Sequence, residues 1–391
     1  DLTGIILTQY NGKIIGPIAK LLGYLMNAIF EFLNMIKIPN IGLSIIIFTI
    51  VIYLLLWANY SDISLTHYQN NSFLLLVVSA KMNPELQAIQ KRYKDKKDNE
   101  SMMAMNAETK AVYAKYGVSP SGSCLQLLIQ MPILFALYRV IYNMPAYVTR
   151  IRDAFGVIAD SIIASGKVSE IQNLKVAAAY ARNFAIDERN AVIDVLYVMN
   201  NKDLAAYATG HEDVLEQISH FNNFLGINIA NSPSFMISDA WNAEGGPQIL
   251  LIIAALLIPL LSAFTQWLNV KLMPQQAQQD DKNVSDQQAS MQQSMKMMNN
   301  FMPIMSAVFC FTLPSGMGLY WIVGAVVRSI QQVLINKHID KMDIDEVIKK
   351  NEEKQKKKLI KAGIDPNTVN KNATMNTRNV AAPSQKTSMA S

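Results

Sequence analysis

Charge is scarce in this sequence. Only 17% of its 391 residues are Asp, Glu, Lys or Arg, whereas 51% are hydrophobic. Soluble domains carry about 25% charged residues. The shortage is concentrated in discrete runs, which points to a polytopic membrane protein. Cysteine is nearly missing as well. Cys124 and Cys310 are the only two, both in apolar stretches, so neither a disulfide framework nor a thiol metal site follows. Four scattered histidines, with no HExxH, phosphate-binding loop or GxSxG pattern, leave no catalytic constellation. The sequence therefore predicts a non-enzyme with no cofactor and no metal. The net charge of +5 is modest, and its placement matters more than its size.

What is present divides the chain into apolar runs and polar connections. The chain begins at Asp1, and its native start, with any signal peptide or lipid-attachment cysteine, is expected to lie upstream. Residues 1–40 form an N-terminal segment. Within it Leu21, Leu22, Leu25, Ile29, Phe32 and Leu33 recur at helical spacing, interrupted by Lys20 and Glu31. That pattern predicts an amphipathic helix lying in the membrane interface, with a spanning helix as the alternative. Residues 41–57 read as a first span. Residues 58–118 read as a cytoplasmic region whose Pro84–Tyr116 portion is a helical hairpin. Leu86, Ile89 and Tyr93 form its stripe, and Lys91, Arg92, Lys94, Lys96 and Lys97 form a basic cluster.

Residues 119–142 read as a second span, and 143–247 as a long region in which acidic residues outnumber basic ones. Residues 248–272 read as a third span, with Trp267 and Lys271 as interfacial anchors. Residues 273–300 read as a Gln/Asp/Met-rich cytoplasmic connection. Residues 301–313 and 314–335 read as two short spans, and 336–391 as a basic tail. Basic segments stay inside, so the hairpin and tail are assigned to the cytoplasm and the acidic region to the outside. The expected fold class is an all-α polytopic membrane protein with five spans.

Several polar groups lie within these spans. Gln126 and Gln130 are four apart and share a helix face. An intramembrane amide has two readings, a functional site or hydrogen bonding between packed helices. Counting helical rise from the inner ends of their spans puts Tyr53 at about 6 Å, Gln130 at about 9 Å and Arg328 at about 10 Å. Trp321 and Arg328, seven apart, share a face. These residues are candidates for a hydrated groove open to the cytoplasm, although Arg328 snorkelling to the headgroups is the simpler alternative. Arg139, near the outer end of its helix, is a candidate anchor.

The stretch G-V-S-P-x-G-x-C-L-x-x-L-I-Q-M-P-I-L-F-A-L-Y, residues 117–138, resembles the second core span of the YidC/Oxa/Alb membrane protein insertases. FLGINIANSPSF (residues 224–235) and LPSG followed by LYW (residues 313–321) match in order, and the resemblance covers most of residues 15–340. It is similar to the short bacterial form of the family. The resemblance implies a five-helix core with a cytoplasmic hairpin in the bacterial cell membrane. The implied activity is insertion and folding of membrane proteins through the groove, alone or with the Sec translocon. Nascent membrane proteins, the translocon, the ribosome and membrane lipids are the implied partners. Tyr320, Trp321 and Gln130 would contact the incoming helix. Lys91, Arg92, Lys94, Lys356, Lys357 and Lys358 would meet ribosomal RNA or anionic lipid.

Two departures stand out. Many relatives carry an Arg where Tyr53 stands here, so Arg328 would have to supply that charge. Residues 58–79 also leave the family pattern before it resumes at Ala80. Two rivals remain. One is an assembly factor without insertase activity, which the large acidic region keeps open. The other is a secondary transporter, which the lack of an internal repeat disfavours.

Overall fold

The computed structural model describes residues 9–62, 82–116, 122–272 and 286–361, apart from scattered positions within those stretches. The principal helices are α1 (Ile15–Met35), α2 (Ile41–Asp62), α3 (Asn99–Tyr116), α4 (Gly122–Tyr142), α5 (Thr149–Ala164), α6 (Glu188–Val198), α7 (Glu212–Asn222), α8 (Pro233–Trp241), α9 (Ile249–Leu272), α10 (Asp286–Thr312) and α11 (Ser315–Ile339). The strands described are Asn223–Phe224 and Ile227–Asn228, paired antiparallel. Among the described residues, α9 and the Ser315–Leu334 part of α11 are long and apolar enough to cross a membrane, with mean hydropathy of 2.4 and 1.2. Ile41–Leu55, Met131–Tyr142 and Asn300–Thr312 are shorter apolar helices.

Two helices outrun their apolar parts. α2 continues past Trp57 to Asp62. α10 begins at Asp286, so residues 286–300 are helix where the sequence reads as a connection. No Gly or Pro interrupts that stretch, and its Gln, Met and Lys residues favour helix. Most of the atypical segment 58–79 lies outside the described residues.

The chain forms two compact units, the first comprising Asp1–Trp57, Leu127–Val270 and Asn300–Ile330. In it, α1 buries Ala19, Leu22, Met26, Ile29, Phe30 and Leu33 and exposes Leu21, Tyr24, Phe32 and Met35. The buried face packs on the region that follows α4, where Phe30 meets Phe221 edge-on at 5.2 Å. Gly23 leaves room for the Tyr147 ring. Asn27 Oδ1 accepts the backbone N–H of Thr149 at 3.0 Å, so α1 caps the start of α5. Arg150 donates to Glu31 through Nε and a terminal nitrogen at 3.0–3.3 Å.

Helices α5, α6 and α7 enclose the core of the 143–247 region. Phe155, Ile158, Val192, Val195, Leu196 and Tyr197 are fully buried there. Asp187 caps α6 by accepting from Asn190 N at 3.0 Å, and Ser232 caps α8 by accepting from Phe235 N at 3.2 Å. The turn into α11 is pinned to the residues after the hairpin. Ser315 Oγ donates to Asn231 O at 2.8 Å, and Gly316 N donates to Ile229 O at 3.1 Å. A Cβ at Gly316 would lie 2.9–3.0 Å from Ile45, Ile141 and Ile229, so glycine permits α2, α4 and α11 to converge.

The second unit comprises Ala58–Gln126, Lys271–Asn299 and Gln331–Ser391. Its described centre is an antiparallel pair, a helical arm within 84–93 and α3. Ile89, Tyr93, Ala104, Val112 and Tyr116 are buried between the arms, with Leu86 and Met105 against them. Asp98 Oδ2 accepts from Ser101 N at 2.9 Å at the turn. Glu108 accepts from Arg92 and from the Tyr93 hydroxyl, each at 3.0 Å. Glu85 accepts from Lys115 and from the Tyr116 hydroxyl, each at 2.7 Å.

Candidate functional site

Tyr320, Gly324 and Arg328 stand four residues apart on α11 and so line one face of it. Tyr53 of α2 lies along that face. A Cβ at Gly324 would sit 2.9 Å from the Tyr53 hydroxyl and 3.0 Å from a ring carbon. Glycine there lets the ring lie on the helix backbone. One turn on, Arg328 donates a hydrogen bond to the Tyr53 hydroxyl. Its guanidinium carbon is also 5.5 Å from the centre of the same ring, within cation–π range. One turn back, buried Tyr320 stands on the same face of α11. The two residues joined by the Arg328–Tyr53 contact are 275 positions apart in the chain.

This arrangement fixes a half-buried cation on an otherwise apolar face. A guanidinium carries five N–H donors in a planar fork. Tyr53 holds the group by an edge and a face, which limits its rotamers. No acid–base pair or nucleophile accompanies it among the described residues. The chemistry on offer is recognition of polar or anionic groups within an apolar setting.

The remaining sequence candidates fall elsewhere. Trp321 follows Tyr320 and is turned about 100° from it. Its ring packs at 5.9 Å from Phe309 of α10. Gln130 is on α4, but its side chain lies outside the described ones. Arg139 is exposed on α4, its guanidinium 4.5 Å from the Tyr10 ring centre and 6.0 Å from that of Tyr138. Lys91, Arg92, Lys356 and Lys357 are exposed, and Lys94 and Lys358 lie outside the described residues.

A polar seam escaped the sequence reading. Ser262, Thr265 and Asn269 recur at spacings of three and four on α9 and are buried. Ser262 hydrogen-bonds Ser306 of α10 and accepts from Cys310 Sγ at 3.1 Å. Asn269 Nδ2 donates to Ser329 Oγ of α11 at 3.4 Å. Small polar residues at helical spacing inside an apolar helix were the available signal, since such groups bond helices together where water is absent.

The sequence profile of the 60Kd inner membrane protein family matches residues 32–342. The membrane protein insertase YidC of Rickettsia bellii is 26% identical over 320 residues, 82% of this chain and 39% of that protein. YidC of Bifidobacterium longum is 32% identical over 144 residues, 37% of this chain and 42% of that protein. YidC 1 of Streptococcus pyogenes is 40% identical over 105 residues, 26% of this chain and 34% of that protein. The matched stretches thus span less than half of each relative's length. The profile match runs through α2, α4, α9, α10 and α11 and takes in Tyr53, Gln130, Tyr320, Trp321 and Arg328. This chain is a membrane protein belonging to the 60Kd inner membrane protein family, that of the YidC/Oxa/Alb proteins.

Proposed function

We propose that the chain is a membrane protein insertase and folding assistant of the bacterial cell membrane, acting alone or beside the Sec translocon. Five spans cross the bilayer in this reading: the apolar part of α2, α4, α9, the apolar end of α10, and α11. The hairpin and basic tail face the cytoplasm, and residues 143–247 face outward. The short spans thin the bilayer locally, which shortens the path of an inserting segment. Nascent membrane proteins are the substrates.

The observation that supports this most is Arg328 held against Tyr53 beside Gly324. In a groove open to the cytoplasm, this cation lowers the cost of drawing a short polar segment partway into the membrane. The segment's hydrophobic helix then leaves sideways into lipid. Burial of about 20 apolar residues drives that step, and no nucleotide is needed. Tyr320, Trp321 and Gln130 line the route. Arg139 anchors the outer end of α4 at the headgroups. Lys91, Arg92, Lys94, Lys356, Lys357 and Lys358 engage the ribosome or anionic lipid.

Complementation of a bacterium depleted of its own insertase tests the reading. The chain as given, a version with residues 58–79 replaced by a typical family segment, and Arg328→Ala are compared at equal membrane expression. Rescue by either of the first two supports the insertase reading, and failure of both overturns it. Full rescue by Arg328→Ala overturns the role of the cation. Removal of residues 336–391 lowers co-sedimentation with ribosomes; unchanged co-sedimentation excludes the tail as the ribosome contact.

A further inference from the structure

The hairpin between α7 and α8 sets a leucine where the backbone resists one. Leu225 holds φ +52° and Gly226 φ +82°, and the pair makes the tight turn that joins Phe224 to Ile227. Gly, Asn and Asp suit that left-handed first position, and a leucine Cβ strains it. The side chain gains little from the protein in return, being 83% exposed. The link that Asn40 ties to the hairpin repeats the pattern, with exposed Ile36 and Ile38 on either side of Lys37 at φ +64°.

The levels of the helices say what surrounds the turn. Gly318 of α11 leaves room for Ile258 of α9, and Ser329 of α11 bonds Asn269 of α9. Both pairs are 60 positions apart, so α9 and α11 run parallel and in step. Gly316 meets Ile45 of α2 and Gly324 meets Tyr53, again at one common separation, so α2 keeps step as well. Phe224 seats on Gly42 of α2, which is therefore level with Ile253, about 6 Å inward from Ile249 at the head of α9. Ile249, Leu250, Ile253 and Leu257 are exposed on α9, an apolar flank that belongs in hydrocarbon. The hairpin thus lies inward of the first lipid-facing side chains of a spanning helix. Its polar side faces elsewhere. Asn223, Gly226 and Asn228 line a cavity with Glu212 and Glu216, and Leu225 does not. Water on that side serves the backbone groups that lipid cannot.

We propose that this hairpin is a wedge in the membrane interface, with Leu225 inserted among the acyl chains beside the heads of α2 and α11 and the cavity side left in water. Burial in lipid offsets the strain at the turn. Sharing a level with the lipid-facing flank of α9 favours lipid over a protein partner. The leaflet is the outer one on the topology proposed above; the depth does not depend on that choice.

Spin labelling of the full chain in nanodiscs tests this. Leu225→Cys, Leu250→Cys and Glu216→Cys are made singly in a Cys124→Ala, Cys310→Ala background and given a nitroxide. Oxygen, which partitions into lipid, should relax the labels at 225 and 250 several-fold more than a nickel chelate does, and the label at 216 should show the reverse. Nickel access at 225 with lipid exposure at 250 overturns the wedge and leaves the spans standing. Nickel access at both overturns α9 as a span, and the wedge with it. A label at 225 shielded from both reagents puts protein over the tip and overturns the lipid assignment. The unsubstituted chain gives a second reading with the turn unchanged: the Leu225 methyl protons show NOEs to acyl methylenes, and cross-peaks to water alone overturn the proposal. None of these outcomes depends on insertase activity.

Discussion

Asn40 donates through Nδ2 to the carbonyl of Asn223 at 2.8 Å, across 183 residues. The same amide donates to His220 O at 3.2 Å, and its Oδ1 accepts the backbone N–H of Leu43 at 3.1 Å. One side chain therefore caps α2 and ties its head to the hairpin. Beside it, Gly42 leaves room for the Phe224 ring.

Asn40→Ala removes the cap and both ties, and should destabilise the chain by about 1–3 kcal/mol. Asn40→Asp retains the cap and loses the donors, so it should recover part of that loss. Denaturant unfolding in detergent, followed by Tyr and Trp fluorescence, measures the difference between the two. Equal stability of all three chains would refute the assignment.

Gly324→Val should displace the Tyr53 ring, because a Cβ there lies within 3.2 Å of three of its atoms. On the insertase reading, activity falls by about tenfold or more, equivalent to about 1.4 kcal/mol. Tyr53→Phe keeps the ring and removes the hydroxyl that accepts from Arg328, so its loss should be smaller. Insertion of a reporter membrane protein into proteoliposomes ranks the two variants. Wild-type activity in Gly324→Val would break the link between the cluster and function.

The Ser262–Ser306–Cys310 contact should act as a bond between α9 and α10. Ser262→Ala removes the shared partner of the other two and costs about 0.6–1.7 kcal/mol. Reversible unfolding in mixed micelles measures this cost, and a neutral result would reduce the seam to filler. Activity is expected to change little, since Ser262 itself bonds Ser306 and Cys310 of α10 and no member of the Arg328–Tyr53 pair.

Asp194 is buried in α6, and its Oδ2 has no hydrogen-bond partner among the described residues. Burial pushes its carboxyl up from 3.8 to about 8, with nearby Asp187 adding to the rise and the Asn183 hydrogen bond opposing it. The folded chain keeps a proton that the unfolded chain releases. The associated stability is complete below about pH 4 and is lost as pH rises to about 8. Asp194→Asn should flatten that slope and stabilise the chain at pH 7 by up to about 4 kcal/mol, the linkage cost of keeping the proton at a pH about three above the unfolded value. Unfolding midpoints at pH 5, 6, 7 and 8 test both points, and an unaltered slope in the variant would assign the dependence elsewhere.

The helical class of this protein was legible because apolar composition decides which segments avoid water, and the run Ile249–Leu272 carries that signal without help from any neighbour. The family was legible in the Pro-x-Gly-x-Cys lead-in and the Gln-Met-Pro core, since a motif survives in the order of residues. Helical rise alone sets Tyr53 and Arg328 near one level. Their contact was not legible, because it depends on how α2 and α11 are rotated about their axes and on Gly324 allowing the approach. The helical state of 286–300 was not legible, because polar composition says where a segment sits, while helix needs only the absence of breakers. The unmet acceptor of Asn222 and the burial of Asp194 belong to tertiary structure alone. A side chain's type states what it can bond to, and only the packing of α5, α6 and α7 with the hairpin decides whether a partner or water is within reach.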